Sequence, residues 1–149
     1  MKIVFGADDR SATVDAVLDH LNGEGHDVTV VEPDIAWPTI AHRVGTAVAD
    51  GQADVGVVMC WTGTGTSIAA NKVPGVRAAL AWEPWIARNA RLWNDANVLA
   101  MSLKRTAPDV AVEILDAFLQ VAEPDEDEAT NIALLERWRD TDVRDAGGR

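Results

Sequence analysis

The sequence predicts an α/β protein built on a doubly wound, mostly parallel sheet of five strands with helices on both faces. Three observations predict this class. Short apolar segments of strand length alternate with segments of helical periodicity along nearly the whole chain. The run at 55–60 is apolar throughout, which is typical of a central strand buried on both faces. The length of 149 residues suits one domain with a full core.

The elements follow one another in a regular order. Short apolar runs predict strands at 2–6, 28–31, 55–60, 78–82 and 98–101. Helical spacing of apolar residues predicts helices at 11–22, 40–49, 66–71, 84–92, 110–121 and 130–139. Ser11 is a suitable cap for the first of these helices. We expect one domain over 1–140 and a polar C-terminal tail over 141–149.

The charge and the composition exclude several classes of partner. The net charge of −11 would repel nucleic acid. No apolar run is long enough to span a membrane. The single cysteine leaves a free thiol, which fits a reducing compartment and predicts a cytoplasmic protein. No spacing of His, Cys and Asp resembles a zinc site, so neither a metal nor a cofactor is expected.

An acidic run at 123–128 carries much of the negative charge. Its ordinary interpretation is a solvated linker or the start of a helix. The alternative is that it changes what a nearby pocket can bind.

The loop after the central strand is the strongest candidate site, because ligands of parallel sheets bind at the carboxyl ends of the strands. Cys60 is followed by Gly63, Gly65 and a predicted helix, a layout that presents backbone N–H groups to an anion. The same field would favour the thiolate of Cys60, which could act as a nucleophile or a general base. Spacing alone leaves equally open a buried cysteine that packs as a small hydrophobe.

A longer stretch around this loop resembles a known family. Residues 59–78 read MCWTGTGTSIAANKVPGVRA, and the similarity continues through 82–84 and 94–100. Gly6-Ala7-Asp8 and Trp37-Pro38 add to it. The stretch closely resembles the type B ribose-5-phosphate isomerases and the related galactose-6-phosphate isomerase subunits. That family interconverts aldose and ketose phosphates through an enediolate, so the resemblance implies an aldose–ketose isomerase.

The resemblance also implies an assembly, either a homodimer or a tetramer formed as a dimer of dimers, with pockets at the subunit interface. The helical face that carries Val110, Ile114 and Phe118 is compatible with such an interface, and equally with ordinary core packing. The substrate would be a small sugar-like molecule.

The resemblance assigns roles to the residues of the loop. Cys60 corresponds to the family's base, and the backbone of residues 63–66 to its oxyanion hole. The catalytic set that it implies is Cys60, Thr62, Gly63, Thr64 and Gly65. A carbon acid needs a base of suitable pKa and preorganised donors where charge develops, which this set supplies. Asp8 and Asn94 match residues that hold the sugar. The further candidates for substrate binding are Asp9, Arg10, Trp37, Trp61, Thr66, Ser67, Trp93 and Lys104.

The pocket departs from the family where phosphate binds and the sugar ring opens. Asp9 replaces a histidine that helps to bind phosphate, and Trp93 replaces the histidine associated with ring opening. Trp61 replaces a glycine, and Lys104 replaces an arginine. The segment 107–135 contains no arginine, although family members supply phosphate-binding arginines from this region.

These departures predict a different substrate. A phosphate carries nearly two negative charges, and two like charges about 4 Å apart near a surface repel by about 4 kcal/mol. Such a repulsion cancels a millimolar affinity, so we predict a sugar or hydroxycarbonyl substrate other than ribose 5-phosphate. Trp37, Trp61 and Trp93 predict a flatter, more apolar pocket. We expect the remaining tryptophans in the core or at an interface; they are Trp82, Trp85 and Trp138.

Two classes of function remain open. The first is an enzyme that uses Cys60 as base, either an isomerase of an open-chain or modified sugar or an enzyme of another enediolate reaction, such as the epimerisation or isomerisation of an unphosphorylated hydroxycarbonyl compound. The second is a non-catalytic homologue that binds a ligand or a partner. The retained loop and Asn94 favour catalysis, whereas the lost histidine and arginines favour an altered substrate or lost activity.

Overall fold

The computed structural model describes residues 1–33 and 35–137, and the backbone alone of Arg137. Trp138, the end of the predicted helix 130–139 and the predicted tail 141–149 lie outside the described residues. Strands and helices alternate in the order β1 (Lys2–Ala7), α1 (Ala12–Gly23), β2 (Asp27–Val30), α2 (Trp37–Ala49), β3 (Val55–Cys60), α3 (Thr64–Ala70), β4 (Ala78–Leu80), α4 (Pro84–Asn94), β5 (Val98–Ser102), α5 (Pro108–Leu119) and α6 (Ala129–Arg137).

The five strands form one parallel sheet in the order β2-β1-β3-β5-β4, which confirms the predicted fold class. All six residues of the central strand β3 are buried, which explains its unbroken apolar sequence. The chain winds outward from β1 in one direction and from β3 in the other. A crevice therefore opens at the carboxyl ends of β1 and β3, where such sheets bind ligands.

The core has two layers, one on each face of the sheet. Helices α1, α4 and α5 cover one face, and α2 and α3 cover the other. Successive residues of β3 alternate between the layers, since Val57 joins the first and Val58 the second. Ile114 and Phe118 are fully buried in the first layer. Their helical face therefore belongs to the core of the chain and is not available as an interface.

Several element boundaries differ from those predicted. Helix α2 begins three residues early, at Trp37, because Pro38 fits the first turn of a helix, where its missing N–H is not needed. Helix α3 begins at Thr64 because Gly63 supplies a left-handed turn immediately before it. Strand β4 ends at Leu80, so Trp82 lies beyond it.

The tryptophans after β4 are not core residues. Trp82 is 65% exposed and Trp85 is 59% exposed, which removes core packing as an explanation for either. Helix α4 turns Ala87 and Ala90 to the core instead.

Two sequence features of helix ends are present in the structure. The Ser11 side chain accepts a hydrogen bond of 3.2 Å from the Val14 N–H, as a helix cap does. The acidic run forms an exposed 3-10 turn at Glu126–Glu128 that leads into α6, in agreement with its ordinary interpretation. Within the described residues, no helix combines the length and the apolarity needed to cross a bilayer.

Candidate active site

The loops that follow β1 and β3 meet at the crevice of the sheet. The Asp8 N–H donates to the Met59 carbonyl at 3.2 Å and joins the first of these loops to the end of strand β3. A cavity of about 420 Å³ opens beside this contact. It is lined by Asp8, Trp37, Cys60, Trp61, Thr62, Thr64 and Gly65.

Cys60 ends the central strand and presents its sulfur to donors from the next turn. Its Sγ accepts hydrogen bonds from the Gly63 N–H at 3.2 Å and from the Thr66 hydroxyl at 3.4 Å. Burial raises the pKa of this thiol, but the hydrogen bonds from Thr66, Gly63 and Thr62 together outweigh it. The pKa of Cys60 therefore lies below its ordinary value, although the residue is buried.

The glycines of the loop are required by close contacts. Gly63 has φ 77°, and a side chain there would place Cβ 2.6 Å from Leu80 Cδ1 and 2.8 Å from the Met101 carbonyl carbon. At Gly65 an added Cβ would lie 3.0 Å from the Trp37 ring. The loop thus packs between the sheet on one side and the Trp37 ring on the other. This packing holds the loop backbone beside the Cys60 sulfur.

Asp8 has an unsatisfied carboxylate oxygen at the wall of the cavity. Its buried Oδ1 has no hydrogen-bond partner among the described residues. Burial and then the neighbouring charge of Asp9 raise the pKa of Asp8, against a smaller opposing effect of a backbone hydrogen bond. Asp8 thus brings an unpartnered, buried acceptor to the set of residues that line the cavity.

Asp9 and Lys104 both contact Trp61 at the rim of the cavity. The Trp61 indole N–H donates to Asp9 Oδ2 at 3.3 Å, and Lys104 Nζ lies 4.4 Å from the centre of the Trp61 ring. Neither charged residue lines the cavity itself. Trp61 is 57% exposed, so it forms the outer edge of the site.

The predicted substrate-binding residues separate into two groups. Thr66 is fully buried, and its hydroxyl donates a hydrogen bond to the Cys60 sulfur. Within one chain, its side chain is therefore out of reach of a ligand. Of the predicted substrate-binding residues, Asp8, Trp37 and Trp61 line the Cys60 cavity. The other described members of the set do not line it: Asp9, Arg10, Ser67, Trp93, Asn94 and Lys104.

Trp93 and Asn94 lie at a second cavity, of about 840 Å³, between edge strand β4 and helices α4 and α6. Trp93 packs edge-on against Trp85, with ring centres 5.6 Å apart. The expectation that Trp93 walls the Cys60 pocket is therefore not met within one chain. Beside them, Arg77 binds the Asp95 carbonyl at 2.7 Å and its carboxylate at 2.8 Å, and also pairs with Glu136.

Arg77 was not among the predicted site residues. It holds Asp95 in a left-handed conformation, with φ 48°, at the end of α4 directly after Asn94. Only its position in the family-like stretch could have marked it. In residues 1–33 and 35–137, no group of three His, Cys, Asp or Glu side chains is placed to hold a metal ion.

Comparison with known proteins identifies the family. The model of a family described as Ribose/Galactose Isomerase matches residues 3–135. The chain belongs to this family. Ribose-5-phosphate isomerase B of Escherichia coli is 38% identical over 123 residues, which cover 79% of this chain and 83% of that protein.

Two further members of the ribose/galactose isomerase family extend the comparison. The D-erythrulose-4-phosphate isomerase of Pectobacterium atrosepticum is 35% identical over 127 residues, 80% of this chain and 82% of that protein. The structure of Clostridium thermocellum ribose-5-phosphate isomerase B matches with a TM-score of 0.83 at 33% identity, over 92% of this chain and 96% of that one. The chain is thus an enzyme of an aldose–ketose sugar-phosphate isomerase family.

Proposed function

We propose that the chain is an aldose–ketose isomerase in which Cys60 is the base that moves a proton between adjacent carbons. The observation that carries this proposal is that Cys60 lines the cavity and that its sulfur accepts hydrogen bonds that lower its pKa. The thiolate removes the proton from the carbon next to the carbonyl, and the electron pair moves to the carbonyl oxygen to form an enediolate. The thiol then returns the proton to the neighbouring carbon while the hydroxyl proton of the first carbon passes to the former carbonyl oxygen, so a new carbonyl forms and the reaction needs no oxidant or reductant.

The turn at residues 62–65 is our proposed oxyanion site. Donors that stabilise an enediolate must already point at the oxygen on which charge develops. The turn lies directly beside the Cys60 sulfur and is held in place by Gly63 and Trp37. A substrate carbonyl held against Cys60 would therefore lie beside backbone N–H groups and the hydroxyls of Thr62 and Thr64.

The substrate that we propose is a sugar or hydroxycarbonyl compound other than ribose 5-phosphate. The relatives are named for erythrulose 4-phosphate and ribose 5-phosphate, so substrates of different chain length occur in the family. None of the residues that line the Cys60 cavity is a lysine or an arginine, and Asp8 adds a carboxylate. Within one chain, this lining favours an uncharged part of the substrate beside Cys60, since an anion there would be desolvated without a compensating cation.

We propose that two copies of the chain complete each site. Trp93 and Asn94 lie at the second cavity in one chain, and so reach a substrate at Cys60 only if they come from a partner copy. The exposed Trp82 and Trp85 beside them are consistent with a buried interface, in which aromatic residues are enriched. We propose a homodimer, alone or within a tetramer, in a cytoplasmic compartment that keeps Cys60 reduced.

Solvent-deuterium incorporation tests the proposed reaction. The wild type should incorporate deuterium at the carbon next to the carbonyl of at least one member of a panel of three- to six-carbon sugars. Cys60→Ser, a nearly isosteric change that removes the thiol, should lose this exchange by a factor of about a hundred or more. Exchange by the wild type with no sugar would favour the non-catalytic alternative. Efficient turnover of ribose 5-phosphate would contradict the proposed substrate class.

A further inference from the structure

Helix α4 ends on a residue whose backbone conformation is unfavourable for a residue with a side chain. Asp95 follows the helix with φ 48° and ψ 42°, and among the described residues other than glycine it alone has a positive φ. Such a left-handed conformation persists where surrounding contacts hold it. Asn94 is the last residue of α4 and directly precedes Asp95, so the position of its side chain depends on this turn.

Arg77, directly before strand β4, binds both the peptide and the side chain of Asp95. Its Nε donates to the Asp95 carbonyl at 2.7 Å, and its Nη2 donates to the carboxylate at 2.8 Å. The Arg77 backbone is itself fixed, since its N–H donates to Asn97 Oδ1 at 2.8 Å and its carbonyl accepts from the Asn97 N–H at 3.0 Å. Because the guanidinium holds its donors in a rigid planar fork, it fixes the orientation of Asp95.

We propose that Arg77 is a positioning residue: by holding Asp95 in the left-handed conformation, it sets where Asn94 lies in the substrate site. The inference rests on the proposed function, in which Asn94 binds the substrate at Cys60 of a partner copy. Arg77 acts through the turn and not through a contact of its own with the substrate. A displacement of about 1 Å in a site can lower a reaction rate by about a hundredfold, so such a turn matters for activity.

The conformation of the turn can be measured without a substrate. The variants are Arg77→Met alone and Arg77→Met combined with either Asp95→Gly or Asp95→Ala. In Arg77→Met, the backbone carbon chemical shifts of Asp95 should leave the left-handed range, and the NMR signals of the Asn94 side-chain amide should move. Glycine adopts a positive φ without strain, so Asp95→Gly should return the Asn94 signals towards their wild-type positions. Asp95→Ala should not.

The same variants should differ in deuterium exchange, measured with the panel sugar on which the wild type is most active. Arg77→Met should lower kcat/KM by about ten- to a hundredfold. Added Asp95→Gly should recover at least about fivefold, because glycine needs no contact to hold the turn, whereas Asp95→Ala should recover nothing. Asp116→Asn is the control, since it alters the His20–Asp116 pair, which lines neither cavity, and it should keep the wild-type kcat/KM.

Co-expression assigns Arg77 to one side of the shared site. With Cys60→Ala as its partner, Arg77→Met should recover about a quarter of wild-type activity, because each mixed dimer then contains one intact site. With Asn94→Ala as its partner it should recover nothing, because both lesions then affect the same half of every site.

Three results would overturn the inference: unchanged Asn94 signals in Arg77→Met, equal recovery by Asp95→Ala and Asp95→Gly, or recovery of Arg77→Met by Asn94→Ala in place of Cys60→Ala. If Arg77→Met does not fold, Arg77→Lys supplies the same comparisons, because an ammonium lacks the planar fork. Failure of the proposed function is distinguishable. A wild type that exchanges no sugar refutes the isomerase, while the NMR comparison still decides whether Arg77 holds the turn.

Discussion

At the scale of single residues, the reactivity of Cys60 depends on a balance between burial and hydrogen bonding. Burial alone would raise the pKa of the thiol, and the donors of the following turn reverse this effect. Thr66 makes the largest opposing contribution, although its side chain is itself fully buried. Thr66, which was expected to bind substrate, is therefore placed to lower the pKa of Cys60 instead.

Thr66→Val should raise the pKa of Cys60, because it removes the hydroxyl that donates to the sulfur at 3.4 Å and keeps the side-chain volume. The thiolate fraction at neutral pH then falls, and alkylation of Cys60 becomes several-fold slower. The measurement is the pH dependence of the iodoacetamide rate. Ser67→Ala is the control, and its profile should match that of the wild type. An unchanged profile in Thr66→Val would show that the hydroxyl does not support the thiolate.

Asp8→Asn should stabilise the protein at neutral pH. The pKa of Asp8 is raised in the folded chain, so the protonated form is favoured by folding and the ionised form opposes it. The stability that protonation contributes is present below the ordinary pKa of aspartate and is lost as the pH rises through the raised value. Removing the charge should thus increase the urea midpoint at pH 7 and change it little at pH 3.

The exposed Asp19→Asn is the control for this comparison, and its effect should not differ in this way between the two pH values. A lower midpoint for Asp8→Asn at pH 7 would contradict the prediction. It would mean that the ionised carboxylate stabilises the fold.

At the scale of elements, the junction between β3 and α3 places the loop beside the thiol. Its geometry depends on a left-handed residue packed directly against β4 and β5. Helix α2 contributes from the opposite side, since Trp37 at its start lies against Gly65. The site is therefore built by elements that are distant in sequence.

Gly63→Ala should destabilise the protein by more than about 2 kcal/mol. Both the positive φ of 77° and the contacts under 3.0 Å with Leu80 and Met101 oppose a side chain. Gly51 is a matched control, because its φ is 70° but nothing lies within 4 Å of an added Cβ. Gly51→Ala should cost about 1 kcal/mol, the strain of the backbone alone. Urea unfolding measures both, and equal losses would show that the contacts at Gly63 relax.

At the scale of the whole molecule, the two cavities divide the predicted site. One contains Cys60 and its turn, and the other contains Trp93 and Asn94. The Arg77–Asp95 pair and the contact of Arg77 with Glu136 fix the end of α4 on the second cavity. In a dimer with a twofold axis, the Cys60 cavity of each copy can meet the second cavity of the other copy. This arrangement generates two equivalent sites.

Co-expression of Cys60→Ala with Asn94→Ala tests whether sites are shared. Each variant alone should be inactive or nearly so. If copies pair at random, half of the dimers are mixed and each contains one intact site, so about a quarter of wild-type activity should return. Co-expression of Cys60→Ala with Cys60→Ser is the control and should restore nothing. No recovery in the first pair would place both residues in one chain's site, and light scattering would report the oligomeric state directly.

Sequence patterns were most informative where local chemistry decides the structure. The apolar run at 55–60 identified the central strand without error, because burial on both faces leaves no place for a polar residue. Ser11 was recognisable as a cap because its hydrogen bond spans only three residues. The exposure of Trp82 and Trp85 could not be foreseen, since a tryptophan in an apolar context fits a core equally well.

By itself, the sequence determined the alternation of strands and helices, the family, and the loop that contains Cys60. All of these depend on neighbouring residues or on a continuous motif. The tertiary structure decided which of the candidate residues meet. Strand order brings Asp8 to Cys60, whereas the end of α4 carries Trp93 and Asn94 to a different cavity. Only folding juxtaposes Asp9, Trp61 and Lys104, because their contacts join three separate loops through packing that no local pattern encodes.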